Sequence, residues 1–180
     1  MEITLSHKIG LEPSYKHEIY FIQACGIARF SWNWALEEWK RQSSNGLKPT
    51  AFALKKQFNA IKPVDFPWMY DVTKYASQQP FLHIQTAFNR FFQGLGGYPQ
   101  FKKKNHNDSF YVGNNQIKLD GKHIKLPKLG WVRMRETLGF SGKVISATIY
   151  RQANKWFVSI NVKLDQLPKS CDSQAGVGVD

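Results

Sequence analysis

The hydrophobic period of this chain changes twice, and that order restricts the folds open to it. Ile3, Leu5, His7 and Ile9 alternate with Thr4, Ser6 and Lys8, as in a half-buried strand. Pro13 and Ser14 break the alternation and start a helix. From Tyr15 to about Gln42, Ile19, Ile22, Cys25, Trp32, Leu36 and Trp39 recur three and four apart, the stripe of a long amphipathic helix. Ser43 to Gly46 ends it. Thr50 then caps a second helix carrying Leu54, Phe58 and Ile61 inward, and Pro63 stops it. "DFPWMYDVTKY" reads as a turn or short helix. A further helix is predicted over Ser77 to Phe92, with Pro80 in its first turn and Phe81, Ile84, Phe88 and Phe91 on one face. After "GLGGYP" alternation returns in "SFYV", "QIKL" and "HIKL", the last two joined by Asp120-Gly121. "KVISATIYR" and "KWFVSINVKL" form a second hairpin across "QAN".

One strand, a block of helices and at least four strands is an α+β order. Helices inserted between the first two strands of one small barrel would produce it, and so would two independent domains. At 180 residues, 42% hydrophobic and 14% aromatic, the chain can fill a core. No run of about 18 apolar residues predicts a spanning helix, and "MEITLSHKIG" lacks the apolar core of a secretory signal. Cys25 and Cys171 are far apart without a CxxC partner. Neither a zinc site nor a disulfide framework is expected, and both thiols read as reduced, in a cytoplasmic protein. Cys25 falls in an apolar helical pattern, as a small packing residue does.

The charge is unevenly spread. The chain carries +12 net, and from Lys102 to Arg135 nine basic residues face two acids. Such a cluster suits a polyanion, whose condensed counterions are released on contact; a solvated basic face is the competing reading. In "GGYPQFKKK" (Gly96 to Lys104) glycines turn the chain, Tyr98 and Phe101 anchor it, and Lys102, Lys103 and Lys104 follow as compact charges suited to phosphate. In "LPKLGWVRMR" (Leu126 to Arg135) Arg133 and Arg135 share one side of an extended segment. Trp131 there either packs in a barrel or stacks a base. "GIARFSWNWAL" (Gly26 to Leu36) reads as core, except for Arg29, whose guanidinium needs a carboxylate, an aromatic face or a phosphate. Residues 1 to 173 show no metal spacing and no catalytic triad.

"CGIARFSWNWAL", "YPQFKKK", "IKLPKLGWVR", "WFVSINV" and the closing "GVGVD" occur in the order found in the TnpB (OrfB) family. The chain resembles these insertion-sequence nucleases, relatives of the type V CRISPR effectors, over essentially its whole length. Their N-terminal part has also been described as a transposase helix-turn-helix domain. The resemblance implies an OB-like β-barrel, the wedge domain, split by an inserted helical recognition domain. Residues 1–12 would be the first wedge strand, 13–95 the helical insert, 96–168 the rest of the wedge, and 169–180 a linker and the start of a RuvC-like nuclease domain. Asp180 would then be the first RuvC catalytic carboxylate.

RuvC chemistry needs several carboxylates around two divalent ions. With one present, the resemblance implies no metal site complete in this chain, Mg²⁺ as cofactor of the full-length nuclease alone, and no cleavage by the chain itself. It also implies guide RNA and target DNA as partners, with the remainder of the RuvC domain as a third and no membrane. Base pairing would read the target while protein reads a short adjacent DNA motif. "DVTKYASQQ" resembles the segment lying against that motif. This assigns Lys74 and Gln78, four apart on one helical face, to charge and to an amide able to pair with adenine; a helix cap is the other reading of Gln78. "YVGNNQI" resembles the opposing wedge segment and adds Asn114. Arg29, Lys102, Lys103, Lys104, Arg133 and Arg135 are assigned to nucleic-acid backbone. Two other functions are kept open: a catalytically inactive DNA-binding regulator of transposition or transcription, and a plain OB-type RNA-binding protein.

Overall fold

The protein is seen in a computed structural model that describes residues 3–164. Strand β1 (Thr4–Glu12) leads into helices α1 (Tyr15–Ser44), α2 (Ala51–Asp65) and α3 (Lys74–Phe92), with a 3-10 turn at Pro67–Asp71 before α3. Six strands follow: β2 (Ser109–Gly113), β3 (Lys118–Asp120), β4 (His123–Leu126), β5 (Gly130–Met134), β6 (Gly142–Gln152) and β7 (Lys155–Leu164). A second 3-10 turn, Asn114–Gln116, joins β2 to β3. Asp180, Cys171 and the expected linker lie outside the described residues.

Each helix starts where a side chain answers its orphan amides. Ser14 Oγ accepts from the His17 amide while His17 Nδ1 accepts from the Ser14 amide, a reciprocal capping box. Thr50 Oγ1 accepts from the Ala53 amide at 3.2 Å. Thr73 Oγ1 accepts from the Tyr75 amide, so α3 begins at Lys74 rather than at the expected Ser77. Pro80 therefore sits beyond the first turn, and Thr73, not Gln78, is the cap. Helix α2 likewise continues past Pro63 to Asp65. A proline so near the C-terminus gives up one backbone bond without ending the helix.

The seven strands form one antiparallel sheet in the order β2-β6-β7-β1-β5-β4-β3. Strand β1 changes partner along its length, pairing β7 through Thr4–Gly10 and β5 at Leu11 and Glu12. The sheet turns a corner there, but its outermost strands, β2 and β3, do not pair. It is open, where a barrel was expected. The reason is local: β3 has only three residues, and the 3-10 turn that leads into it breaks the extended backbone needed for a closing ladder. The β6–β7 turn places Ala153 and Asn154 at φ 47° and 60°, matching the twist of a tight hairpin.

Helices and sheet share one continuous core. Phe21 of α1 is fully buried, with its ring 5.9 Å from Phe110 of β2 and 5.0 Å from Trp156 of β7. Trp39 stacks on Phe88 at 4.2 Å and 7°, joining α1 to α3. Most of the aromatic stretch of α1 is core, with Trp32 and Leu36 buried and Phe30 and Trp34 half-buried against it; Cys25 is core too, its buried thiol having its pKa pushed up by desolvation. Trp32 Nε1 donates to the Gln100 carbonyl at 2.9 Å, seating the loop after α3 on α1. Gly26 is an exception in mid-helix: it costs about 1 kcal/mol against alanine, yet a Cβ there would meet only Arg29 Nη2 at 3.9 Å.

Candidate nucleic-acid interface

The start of α3 is fastened to the turn after β2. Thr73 Oγ1 donates to Gln116 Oε1 at 2.7 Å, and the Tyr75 hydroxyl donates to Asn115 Oδ1 at 2.8 Å. The Tyr75 ring crosses Gly113 so closely that a Cβ at 113 would lie 2.5 Å from its hydroxyl and Cζ. Any side chain at 113 would have to displace that ring and its bond to Asn115. The ring also meets Tyr111 edge-on, with centroids 5.6 Å apart.

Lys74 and Gln78 lie on the helix, and Asn114 on the 3-10 turn, that this junction fastens together. Lys74 is exposed, with its ammonium 5.5 Å from the Tyr75 ring. The side-chain amides of Gln78 and Asn114 make no hydrogen bond to any described residue, unlike those of Asn115 and Gln116. The arrangement thus has two groups that hold it together and two amides left with donors and acceptors to offer.

Tyr20, which no motif singled out, pins the junction from beneath. Its hydroxyl accepts from the Thr73 amide at 2.9 Å and donates to the Pro127 carbonyl at 2.8 Å, so α1, the α3 cap and the β4–β5 turn meet at one oxygen. Burial pushes its pKa up from 10.0 to about 12. Tyr20→Phe leaves the buried Thr73 amide unpaired and is expected to cost about 1–3 kcal/mol. The folded-state pKa lies above the unfolded one, so the hydroxyl's contribution is complete below pH 10 and lost as pH rises towards 12. Urea melts of both proteins across that range should therefore show their stability difference narrowing at the alkaline end.

A second surface lies beside the junction, on the outer face of β3, β4 and β5. Alternation in β4 and β5 turns Ile124, Leu126, Val132 and Met134 inward and Lys125, Trp131 and Arg133 outward. Register sets Lys118 opposite Lys125, and Lys125 opposite Trp131, in one row across the three strands. Trp131 is 44% exposed, with the Lys125 ammonium 5.8 Å from its ring. The expectation that it packs in a core is corrected: its place in the pleat faces solvent. Lys128 Nζ donates to the Tyr70 carbonyl, tying this face to the turn before α3. A cavity of about 230 Å³, bordered by Asn115, Gln116, Lys118, Lys125 and Lys128, connects face and junction.

The other expected backbone contacts are distributed differently. Arg29 pairs with Asp108 at 3.2 Å, both half-buried, so its guanidinium holds the Lys102–Asp108 loop to α1. Arg133 and Arg135 both reach Glu12, at 3.2 and 4.0 Å. They remain largely exposed but carry a shared counter-charge. Lys102 is clamped by Asn33, which accepts from its amide at 2.8 Å and donates to its carbonyl at 3.0 Å. Its ammonium lies 4.5 Å from the Trp32 ring, and partial desolvation lowers its pKa. Lys103 and Lys104 are exposed and without an ion-pair partner among the described residues. The clustering of Lys118, Lys125 and Lys128 was signalled by the charge count, but only strand register showed that the first two share a face.

Among the described residues no group of three His, Cys, Asp or Glu could hold a metal ion, and no helix is long and apolar enough to cross a membrane. The described donor set does not fit a two-metal nuclease site, and Asp180 lies outside it.

Residues 1–48, which span β1 and α1 and end in the turn before α2, match the model of a helix-turn-helix domain found in OrfB proteins of the IS605 type. Over 179 residues, 96% of the chain, the sequence is 28% identical to InsQ of Escherichia coli (strain K12), provisionally described as an RNA-guided DNA endonuclease. The chain spans 44% of the length of that relative.

Proposed function

We propose, from the chain's similarity to OrfB-type proteins, that it is the nucleic-acid-binding portion of a transposon-encoded, RNA-guided DNA endonuclease. In this reading it holds guide RNA and reads the motif beside the DNA target. The observation that supports it is the fastening of the start of α3 to the turn after β2 by Thr73–Gln116 and Tyr75–Asn115; Lys74 and Gln78 on that helix and Asn114 on that turn would read the motif, both amides being unpartnered among the described residues. An amide that donates and accepts side by side matches the N6 and N7 edge of adenine in the major groove. Phosphates on either side would be met by lysines: Lys103 and Lys104 after α3, Lys118 and Lys125 on the sheet. Trp131 adds a ring on which an unpaired base can stack.

The sheet that turns at β1, interrupted by three helices between β1 and β2, would serve as the wedge, and the helices as the recognition insert. Residues 1–12 and 96–168 then form one unit and 13–95 the other. The family implies a divalent ion for the full-length nuclease. No described residue provides a site for it, so no cleavage step is derived for this chain.

The test is a set of mobility-shift titrations of the purified chain against RNA transcribed from the element's end, duplex DNA, and single strands of unrelated sequence. Tight binding to the element RNA, with weak binding to duplex alone, is expected. Sequence-selective duplex binding without RNA would replace this reading with that of a regulator of transposition. Equal affinity for every single strand would reduce it to a plain RNA-binding protein.

A further inference from the structure

A cavity larger than the one beside the junction lies elsewhere. It lies along α1 against the 3-10 turn before α3, with a volume of about 640 Å³, within the range of about 300–1,000 Å³ typical of small-ligand sites. Phe30, Trp34 and Trp68 give it aromatic walls. Phe30 meets Trp68 edge-on at 5.8 Å, and Trp68 is 46% exposed. Gly26 lines it as well. Since a Cβ at that position would make only an ordinary contact with the rest of the protein, the chain's own packing does not demand glycine. A ligand lying close against the helix would.

Two carboxylates border the same cavity, Glu37 and Asp71. Both are exposed, and neither has a hydrogen bond or ion pair to a described residue, although the protein carries a net charge of +12. Acceptor-only groups repel phosphate but suit the donor edge of a base. Guanine presents adjacent N1–H and N2–H₂ donors that one carboxylate can accept together, whereas uracil offers a single ring N–H. Flat aromatic walls, a floor without a side chain and unpaired acceptors form a coherent set.

We propose that this cavity takes one unpaired nucleobase of the bound polynucleotide, a guanine by preference, with the ring against Trp68 and Phe30 and its donor edge towards Glu37 or Asp71. The inference rests on the nucleic-acid-binding role above and adds a base-specific site to it. GMP and UMP share a phosphate, so comparing them cancels binding to lysines.

Titration of each mononucleotide, followed by the Trp68 indole N–H signal in NMR spectra, should show GMP binding at least tenfold more tightly than UMP. Gly26→Leu, which fills the floor and favours helix, should weaken GMP binding at least tenfold while leaving the melting temperature unchanged or higher. Glu37→Gln combined with Asp71→Asn should bring GMP to the level of UMP. Equal affinity for the two nucleotides, or unaltered GMP binding in Gly26→Leu, overturns the base site. If element RNA still binds in that case, only the base site fails; if no RNA binds the parent chain either, the nucleic-acid role fails with it.

Discussion

Replacing Phe21 with alanine is expected to destabilise the protein by about 3–5 kcal/mol, a large part of the roughly 5–15 kcal/mol that holds an ordinary domain together. Among the described residues its ring reaches two strands of the sheet at once. Phe21 is fully buried in α1 and touches Phe110 at one edge of the sheet and Trp156 near its middle. Its loss removes the transfer free energy of the ring and leaves a void that a rigid seven-stranded sheet cannot collapse to fill. The same variant bears on the two-domain alternative. If helices and sheet fold as one body, far-UV circular dichroism and tryptophan fluorescence should trace a single urea transition that moves as a whole. Independent folding would instead show two transitions, only one of them shifted. Ile19→Ala, two residues earlier and 40% exposed, should change stability by no more than about 0.5 kcal/mol.

The element order and most element limits could be read from hydrophobic period alone, because each depends on neighbours in the chain. What escaped depends on partners far away. The start of α3 was placed late because its cap, Thr73, stands among residues that read as a turn; Gln116, which accepts from the same hydroxyl, comes from the turn after β2, distant in sequence. Closure of the sheet was expected because a small barrel interrupted by helices accounts for the element order and because the family resemblance implies one. It is decided instead by the three-residue β3 and by a 3-10 turn that a run of Asn-Asn-Gln does not announce. The side of Trp131 was equally hidden: one residue of register decides between core and solvent.

The candidate interface divides in the same way. Lys74 and Gln78 share a helix face by spacing alone, but the docking of their helix on the turn that carries Asn114 depends on Tyr75, Asn115 and Gly113, none of them conspicuous in sequence. The arginines show the converse. Arg29, Arg133 and Arg135 look like phosphate ligands in a basic chain, yet folding gives them Asp108 and Glu12. A bidentate fork makes arginine a good partner for a carboxylate as much as for a phosphate. Lys103 and Lys104, by contrast, stay exposed and without an ion-pair partner among the described residues.

This division of labour sets the expected outcome for the interface. Gln78→Ala should lose discrimination between the preferred DNA motif and a mutated one by about 1–3 kcal/mol, roughly 5- to 150-fold. It should leave the dependence of affinity on salt unchanged, because no charge is removed. Lys103→Ala with Lys104→Ala should do the reverse, weakening binding to every sequence alike. The plot of log affinity against log salt should then flatten by about two units, one for each ammonium taken from a phosphate. Both variants lie on exposed or half-buried positions, so thermal melts should be nearly superimposable and the binding changes attributable to direct interactions with nucleic acid. Measured in complex with element RNA between 50 and 200 mM salt, a flattened slope for Gln78→Ala would reassign that amide to the backbone. An unchanged slope for the lysine pair would leave the loop after α3 without a role in binding, and the phosphates would have to be met by Lys118 and Lys125 on the sheet instead.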